Sequence, residues 1–120
     1  MTDCAAELAV PLIFQNLLKT ISEPGLTWEP LREGIEIARV YRSPGGAAMA
    51  FIRFAPGAVL PRHEHDGYEH ILILRGSQQD DHGDHQAGAM LVNPPGSSHQ
   101  VTSRNGCVVL AFWEKPVRFV

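Results

Sequence analysis

The chain has 120 residues, with ten Lys and Arg against 13 Asp and Glu for a formal net charge of −3. That length suits one domain, and burying roughly two-thirds of the unfolded surface builds one core without disulfide support. The basic residues are scattered, which excludes a basic nucleic-acid face, so no nucleic acid is expected as a direct partner.

The N-terminus, Met-Thr-Asp-Cys-Ala-Ala-Glu, lacks the basic n-region of a signal peptide, and the first Lys is Lys19. No uncharged run approaches the ~20 residues needed to cross a bilayer. The expectation is a cytoplasmic protein with no membrane partner. Leu8, Leu12, Ile13, Leu17, Leu18 and Ile21 recur at roughly helical spacing, interrupted by Pro11. Proline is tolerated in a first helical turn, so this pattern predicts a short helix from Pro11 to Lys19. Ser22-Glu23-Pro24-Gly25 ends it as a turn. Residues 1–25 therefore read as an arm and residues 26–120 as the folded domain.

From Thr27 the helical pattern disappears. Short apolar runs follow at 26–31, 35–41, 47–54, 69–75, 88–92, 98–101 and 107–113, separated by Gly, Pro, Ser, Asn or Asp clusters. Many short strands with such punctuation predict an all-β sandwich or barrel. Asn105-Gly106 between two apolar runs predicts a hairpin, because both residues tolerate positive φ. Ser77–Ala87 reads as a polar hairpin carrying His82 and His85.

The most informative stretch is Gly57–Gly76. Read as extended, it places His63, His65 and Glu69 at alternate positions that share one face. Two imidazoles and a carboxylate on one side are the donor set of a divalent-metal site, and His99 offers a fourth donor. By residue chemistry alone a solvated strand fits the same pattern. Glu69, Ile71 and Ile73 share the donor face, whereas His70, Leu72 and Leu74 lie on the other. A strand apolar on both faces is normally buried on both, so a second subunit or the N-terminal arm is expected to cover the outer face.

These residues resemble the cupin superfamily. Its first motif, G-x5-H-x-H-x3-E-x6-G, is filled by Gly57, His63, His65, Glu69 and Gly76 without a gap. Its second, G-x5-P-x-G-x2-H-x3-N, is met by Gly88, Pro94, Gly96 and His99, with Ser103 in place of the final Asn, which is not a ligand. Within the superfamily the chain is most similar to the ChrR-type branch, the metal-binding domain of certain bacterial anti-sigma factors. Trp28, the Asp80–Gly88 segment, the Pro95–His99 corner and the Gly106–Leu110 strand carry that likeness. The helical sigma-binding domain of true anti-sigma factors has no counterpart in this sequence.

The resemblance implies a single-domain cupin, a double-stranded β-helix or jelly-roll barrel with a short N-terminal helical arm. It also implies a metal held by His63, His65, Glu69 and His99. An all-N/O set suits Fe, Mn, Ni, Cu or Zn and does not choose among them. Six-coordination leaves two positions open, whereas tetrahedral zinc would be closed. No catalytic acid or base is identified, and no organic cofactor.

Among the other candidates, His70 is expected to point outward, and His82 and His85 to sit in a surface turn. Met49, Phe51, Met90, Phe112 and Trp113 either line a cavity above the metal or fill the core. Arg53 either anchors a substrate carboxylate or occupies an exposed strand face. Glu64 and Asp66 are expected in solvent. Cys4 and Cys107 read as reduced thiols without metal or redox spacing.

Two functions follow as expectations. One is a sensory or binding module, a homodimer with a regulatory protein partner or a small ligand in the barrel, with oxidant sensing at a ligand His or Cys107. The other is a metal-dependent dioxygenase acting on a small organic acid or diketone.

Overall fold

The computed structural model describes residues 7–120, so Cys4 lies outside the described residues. One short helix, α1 (Leu17–Ser22), precedes ten strands: β1 (Glu29–Arg32), β2 (Ile35–Arg42), β3 (Ala48–Phe54), β4 (Ala58–His65) and β5 (Glu69–Asp80), then β6 (Gly83–Gln86), β7 (Met90–Asn93), β8 (Ser98–Ser103), β9 (Cys107–Trp113) and β10 (Val117–Phe119). The all-β expectation holds, with the strands in one curled antiparallel path ordered β1-β2-β3-β9-β5-β8-β4-β10. β6 and β7 both join β5.

The helix starts later than its periodicity predicts. Pro11 disfavours helical backbone in the residue before it, and residues 9–16 as a whole are non-helical. Asn16 instead forms the N-cap, its side chain accepting from Lys19 N at 3.2 Å.

β5 is the strand that joins the two halves of the barrel. Its first part pairs with β7 and β9, while Gln78 and Gln79 near its end pair with β6 and Gln79 also with β8. The turn of direction falls at Gly76, where φ is +76°. A Cβ there would sit 2.1 Å from the carbonyl oxygen of Gly106. No side chain fits, which is why this position needs glycine. Asn105-Gly106 is therefore not a hairpin. It is a corner that carries the chain from β8 in one half of the barrel to β9 in the other, and Gly106 alone takes positive φ.

Alternation along these strands fills the interior with Ile35, Ile37, Ala50, Ile52, Phe54, Ile71, Ile73, Val101 and Val109. Fully burying an aliphatic side chain such as Ile73 stabilises by roughly 1.5–3 kcal/mol. Met49, Phe51, Met90 and Phe112 fall on the opposite parity, outside the barrel, which removes the cavity alternative for these four. Phe51 is nonetheless fully buried, because Phe14 of the arm packs edge-on against it at 5.4 Å. Ser22 of α1 also accepts from Arg75 Nη2 at 2.8 Å. The arm thus covers part of the outer face, and Leu72 and Leu74 are half-buried, whereas Met90 and Val92 stay exposed.

β10 carries no apolar run long enough to be read from the sequence. It pairs with β4, placing Phe119 opposite His63, and Arg118 bonds to both Glu64 and Asp66. Those acids face solvent as expected, and they also pin the last strand.

Replacing Gly76 by Ala adds both a clash and a strained backbone, at a cost of about 3 kcal/mol or more. The expected outcome is a fall in melting temperature of roughly 10 °C or more by circular dichroism, or loss of folded protein. Gly88→Ala, where the Cβ would meet nothing within 4 Å, should cost only about 1 kcal/mol. Equal effects would refute the corner assignment.

Candidate metal centre

His63, His65 and Glu69 do not lie on one strand. Asp66-Gly67-Tyr68 breaks the backbone between β4 and β5, so convergence comes from the barrel rather than from alternation along a single segment. On β4 itself the inward parity changes part-way. Leu60 pairs with Val101 and His63 with His99, so β4 advances three residues while β8 advances two. This bulge at Pro61-Arg62 turns even positions outward and odd positions inward. Above it the inward residues are apolar; below it they are His63 and His65.

Glu69 opens β5 and stands directly opposite Asn93 of β7 and Trp113 of β9. Both neighbours hold its carboxylate. Asn93 Nδ2 donates to Oε1 at 3.0 Å and Trp113 Nε1 donates to Oε2 at 2.6 Å. Of the aromatic and Met residues read as cavity candidates, Trp113 is the one that faces inward.

The donor atoms of His63, His65, Glu69 and His99 all lie within 4.8 Å of one another, and all four residues are buried. His63 Nε2 is 3.0 Å from His99 Nε2, and Glu69 Oε1 is 3.0 Å from His65 Nε2 and 3.6 Å from His99 Nε2. The outward nitrogens set the tautomers. His63 Nδ1 donates to the Pro61 carbonyl at 2.9 Å, the carbonyl that the bulge exposes. His65 Nδ1 donates to Ser97 Oγ at 2.9 Å, because that hydroxyl spends its own proton on the Pro94 carbonyl at 2.6 Å. His99 Nδ1 lies 3.2 Å from the Asp80 carboxylate, which can only accept.

In its neutral form each ring therefore presents its Nε2 lone pair to the same point, beside a carboxylate. In that form four acceptors face one another. His65 Nε2 is accordingly the one buried side-chain polar atom among the described residues with no hydrogen-bond partner. Such a set satisfies itself by binding a cation.

The electrostatics agree. Burial pushes the His63 imidazole below its ordinary range. Burial also acts downward on His99, but the Glu69 and Asp80 carboxylates outweigh it and raise that ring. Burial would raise the carboxyls of Glu69 and Asp80, yet histidine contacts hold both below the usual carboxylate range. Two buried carboxylates beside three imidazoles favour positive charge at their centre, which a bound dication would supply in place of protons.

Asp80 is the feature that sequence reasoning missed. Its side chain is 2% exposed and links His99 to His85, whose Nε2 lies 2.8 Å from Asp80 Oδ1. An aspartate 19 residues before its partner, inside a polar turn, carries no spacing signal. His82 is exposed as expected, and His70 points outward and stacks on Phe112 at 5.7 Å. Arg53 is held by Glu36 at 2.7 Å and lies over Trp28, so it occupies an outer strand face and not the cavity. Cys107 is buried among core residues, and burial raises its thiol, which removes the thiolate that oxidant sensing needs. Ser103, at the departure from the second motif, is fully buried and donates to the Ser77 carbonyl at 2.6 Å.

A cavity of about 260 Å³ opens beside the tetrad. His63, Glu69 and His99 line it, with Trp113 and the apolar interior, whereas His65 lies behind. No helix among the described residues is long and apolar enough to cross a membrane.

The model of the ChrR cupin-like domain matches residues 19–116. Anti-sigma-E factor ChrR of Cereibacter sphaeroides is 30% identical over 95 residues, 77% of this chain and 44% of that protein. This chain thus spans less than half the length of that curated relative. The crystal structure of Rhodobacter sphaeroides SigE in complex with the anti-sigma ChrR matches with a TM-score of 0.68 and 19% identity, over 88% of this chain and 70% of the other. An acetylacetone dioxygenase from Acinetobacter johnsonii matches with a TM-score of 0.77 and 15% identity, over 100% of this chain and 85% of the other. At such identities these two likenesses establish the fold, a cupin barrel.

Proposed function

This chain belongs to the ChrR cupin-like domain family, and from that premise we propose that it is a metal-binding regulatory cupin. His63, His65, Glu69 and His99 hold a divalent ion inside the barrel, and occupancy of the adjoining cavity is relayed to a protein partner. The observation that carries this reading is the convergence of three imidazole lone pairs and a carboxylate in a buried site with no proton to share. Second in weight is the set of outward hydrogen bonds from Pro61, Ser97 and Asp80, which fixes each ring for coordination. The bound ion would supply charge and open coordination positions for a ligand.

Elemental analysis of protein purified without a metal-affinity step is expected to give one equivalent of zinc, iron, manganese or nickel. His99→Ala should lose it, with at least about a hundredfold weaker binding. The ligands bind as neutral imidazoles, so protons compete and affinity falls with acidification. His99, raised by its two carboxylates, starts to compete at the highest pH, and His63, lowered by burial, follows at lower pH. A chelator titration should therefore show binding that weakens progressively on acidification, with the His99 contribution lost first and the His63 contribution later. Metal-free wild-type protein, or full retention in His99→Ala, would sink the assignment.

The partner is read as a regulatory protein of the sigma-factor kind, by likeness to the ChrR relative found with SigE. A homodimer through the outer face is the other association we propose, since Met90 and Val92 remain 58% and 57% exposed there. Affinity capture from the source cell together with sedimentation of the pure protein tests both. A monomer that retains no regulator would count against the regulatory reading.

A second reading is favoured by one observation, the cavity that reaches three of the four donors. It is a metal-dependent dioxygenase of the cupin type, cytoplasmic like its regulatory alternative. O2 uptake by the iron-loaded protein across a panel of diketones, flavonols and small organic acids tests it. Silence across the panel would remove the enzymatic reading.

A further inference from the structure

Two arginines stand at the open end of the cavity, and neither belongs to the motifs that define the tetrad. Arg39 and Arg42 both lie on β2 and line the same space as His63, Glu69 and His99. Simple alternation would not put both there. Ile35, Ile37 and Arg39 share the inward parity, opposite Phe54, Ile52 and Ala50, so Tyr41 would be next. A bulge between Arg39 and Tyr41 shifts the register, and Arg42 instead pairs with Ala48, which has the inward parity of β3. One inserted residue exchanges a tyrosine for a second guanidinium at the rim, which is how bulges re-aim side chains beside sites.

Arg42 shares a cross-strand rung with Ala48, Trp113 and Glu69, and the cavity runs from there past Arg39 into the interior, where Ile37, Ile52, Leu60 and Val101 form apolar walls and Gln78 adds one buried amide. Both arginines are exposed at the solvent end, and among the described residues the carboxylate that lines the cavity is that of Glu69, at the tetrad. Arg39 Nε bonds to Glu29 at 3.0 Å, in a pair whose side chains are 34% and 46% exposed. Exposed pairs of this kind hold weakly and exchange with a competing carboxylate. The volume lies just under the ~300–1,000 Å³ of common small-molecule sites, which limits the occupant to a small molecule.

We propose that this cavity binds a small amphipathic monocarboxylate, its carboxylate held at the rim by Arg39 and Arg42 and its apolar body lying along the apolar interior wall beside the tetrad. Planar guanidinium forks match a carboxylate, and the apolar walls favour a hydrocarbon body. The inference rests on the reading of this cavity as an accessible metal site and names the class of ligand that it takes.

The test is isothermal titration of the purified protein with hexanoate and benzoate, each against its neutral amide, with metal content measured on the same samples. The expected result is at least about tenfold preference for each acid over its amide. In the Arg39→Gln/Arg42→Gln variant the preference should vanish, amide affinity and metal content staying unchanged. Equal affinity for acid and amide in metal-replete protein overturns the proposal. So does a preference that survives the double variant but disappears when the metal is stripped, because the carboxylate would then sit on the metal. A protein that proves metal-free yet retains the arginine-dependent preference supports this inference while removing the metal assignment.

Discussion

Four potential metal-donor atoms held within 4.8 Å of one another, all on buried residues, are the constraint on which the rest of this structure depends. Unpaired buried acceptors are costly, on the order of 1–3 kcal/mol each for neutral groups and more for a carboxylate. The tetrad makes sense only as an arrangement held rigid from outside and satisfied from within. The outer supports are all visible. A carbonyl exposed by a bulge, a serine whose proton is spent elsewhere and a buried aspartate each take one Nδ1 proton, and two cross-strand neighbours take one oxygen each of Glu69.

Placing those supports requires both halves of the barrel. His63 and His65 come from β4, His99 from β8, and Glu69 from the opposite end of β5, before that strand turns at Gly76 into the sheet that holds Asp80. The same strand therefore contributes a donor at one end and the carboxylate that orients another donor at its other end. Gly76, about 13 Å of strand from Asp80 and about 23 Å from Glu69 at roughly 3.3 Å per residue, sets their relation by admitting no side chain against Gly106. The two register breaks act similarly. One turns the inside of β4 from apolar to imidazole, and the other brings a second arginine to the rim of the same cavity.

The sequence made the donors legible because cupin spacing is a fixed set of rare residues at fixed intervals, and the turn residues marked most strands. It did not make the mechanism of convergence legible. Alternation along one extended segment predicts the right three residues for an incomplete reason, since a turn at 66–68 and a bulge at 61–62 both intervene. Bulges answer to sheet twist and cross-strand register, which involve partners dozens of residues away. The same limitation hid which cations line the cavity. Arg53 stands out in an apolar run yet points outward to Glu36, whereas Arg39 and Arg42 look unremarkable in sequence and reach the cavity. Asn105-Gly106 has the composition of a hairpin turn, but its flanking strands belong to different halves of the barrel. Asp80 was hidden among polar turn residues, because orientation of a ring nitrogen leaves no fixed interval in the chain.

The cavity bears on why the metal reading leads to a ligand and not simply to a structural ion. About 260 Å³ of largely apolar space is left beside the donors instead of being filled by side chains. A chain that only needed a metal to tie its strands together would gain by growing Ala48 or Val101 into that volume. Instead, three of the four donors are left facing it while His65 is backed by protein. Opening one side of a donor set is what distinguishes a centre that exchanges ligands from one that is coordinatively closed. The regulatory and enzymatic readings share that premise, and they part only at what a bound ligand does next: shift the barrel's contact with a partner, or react.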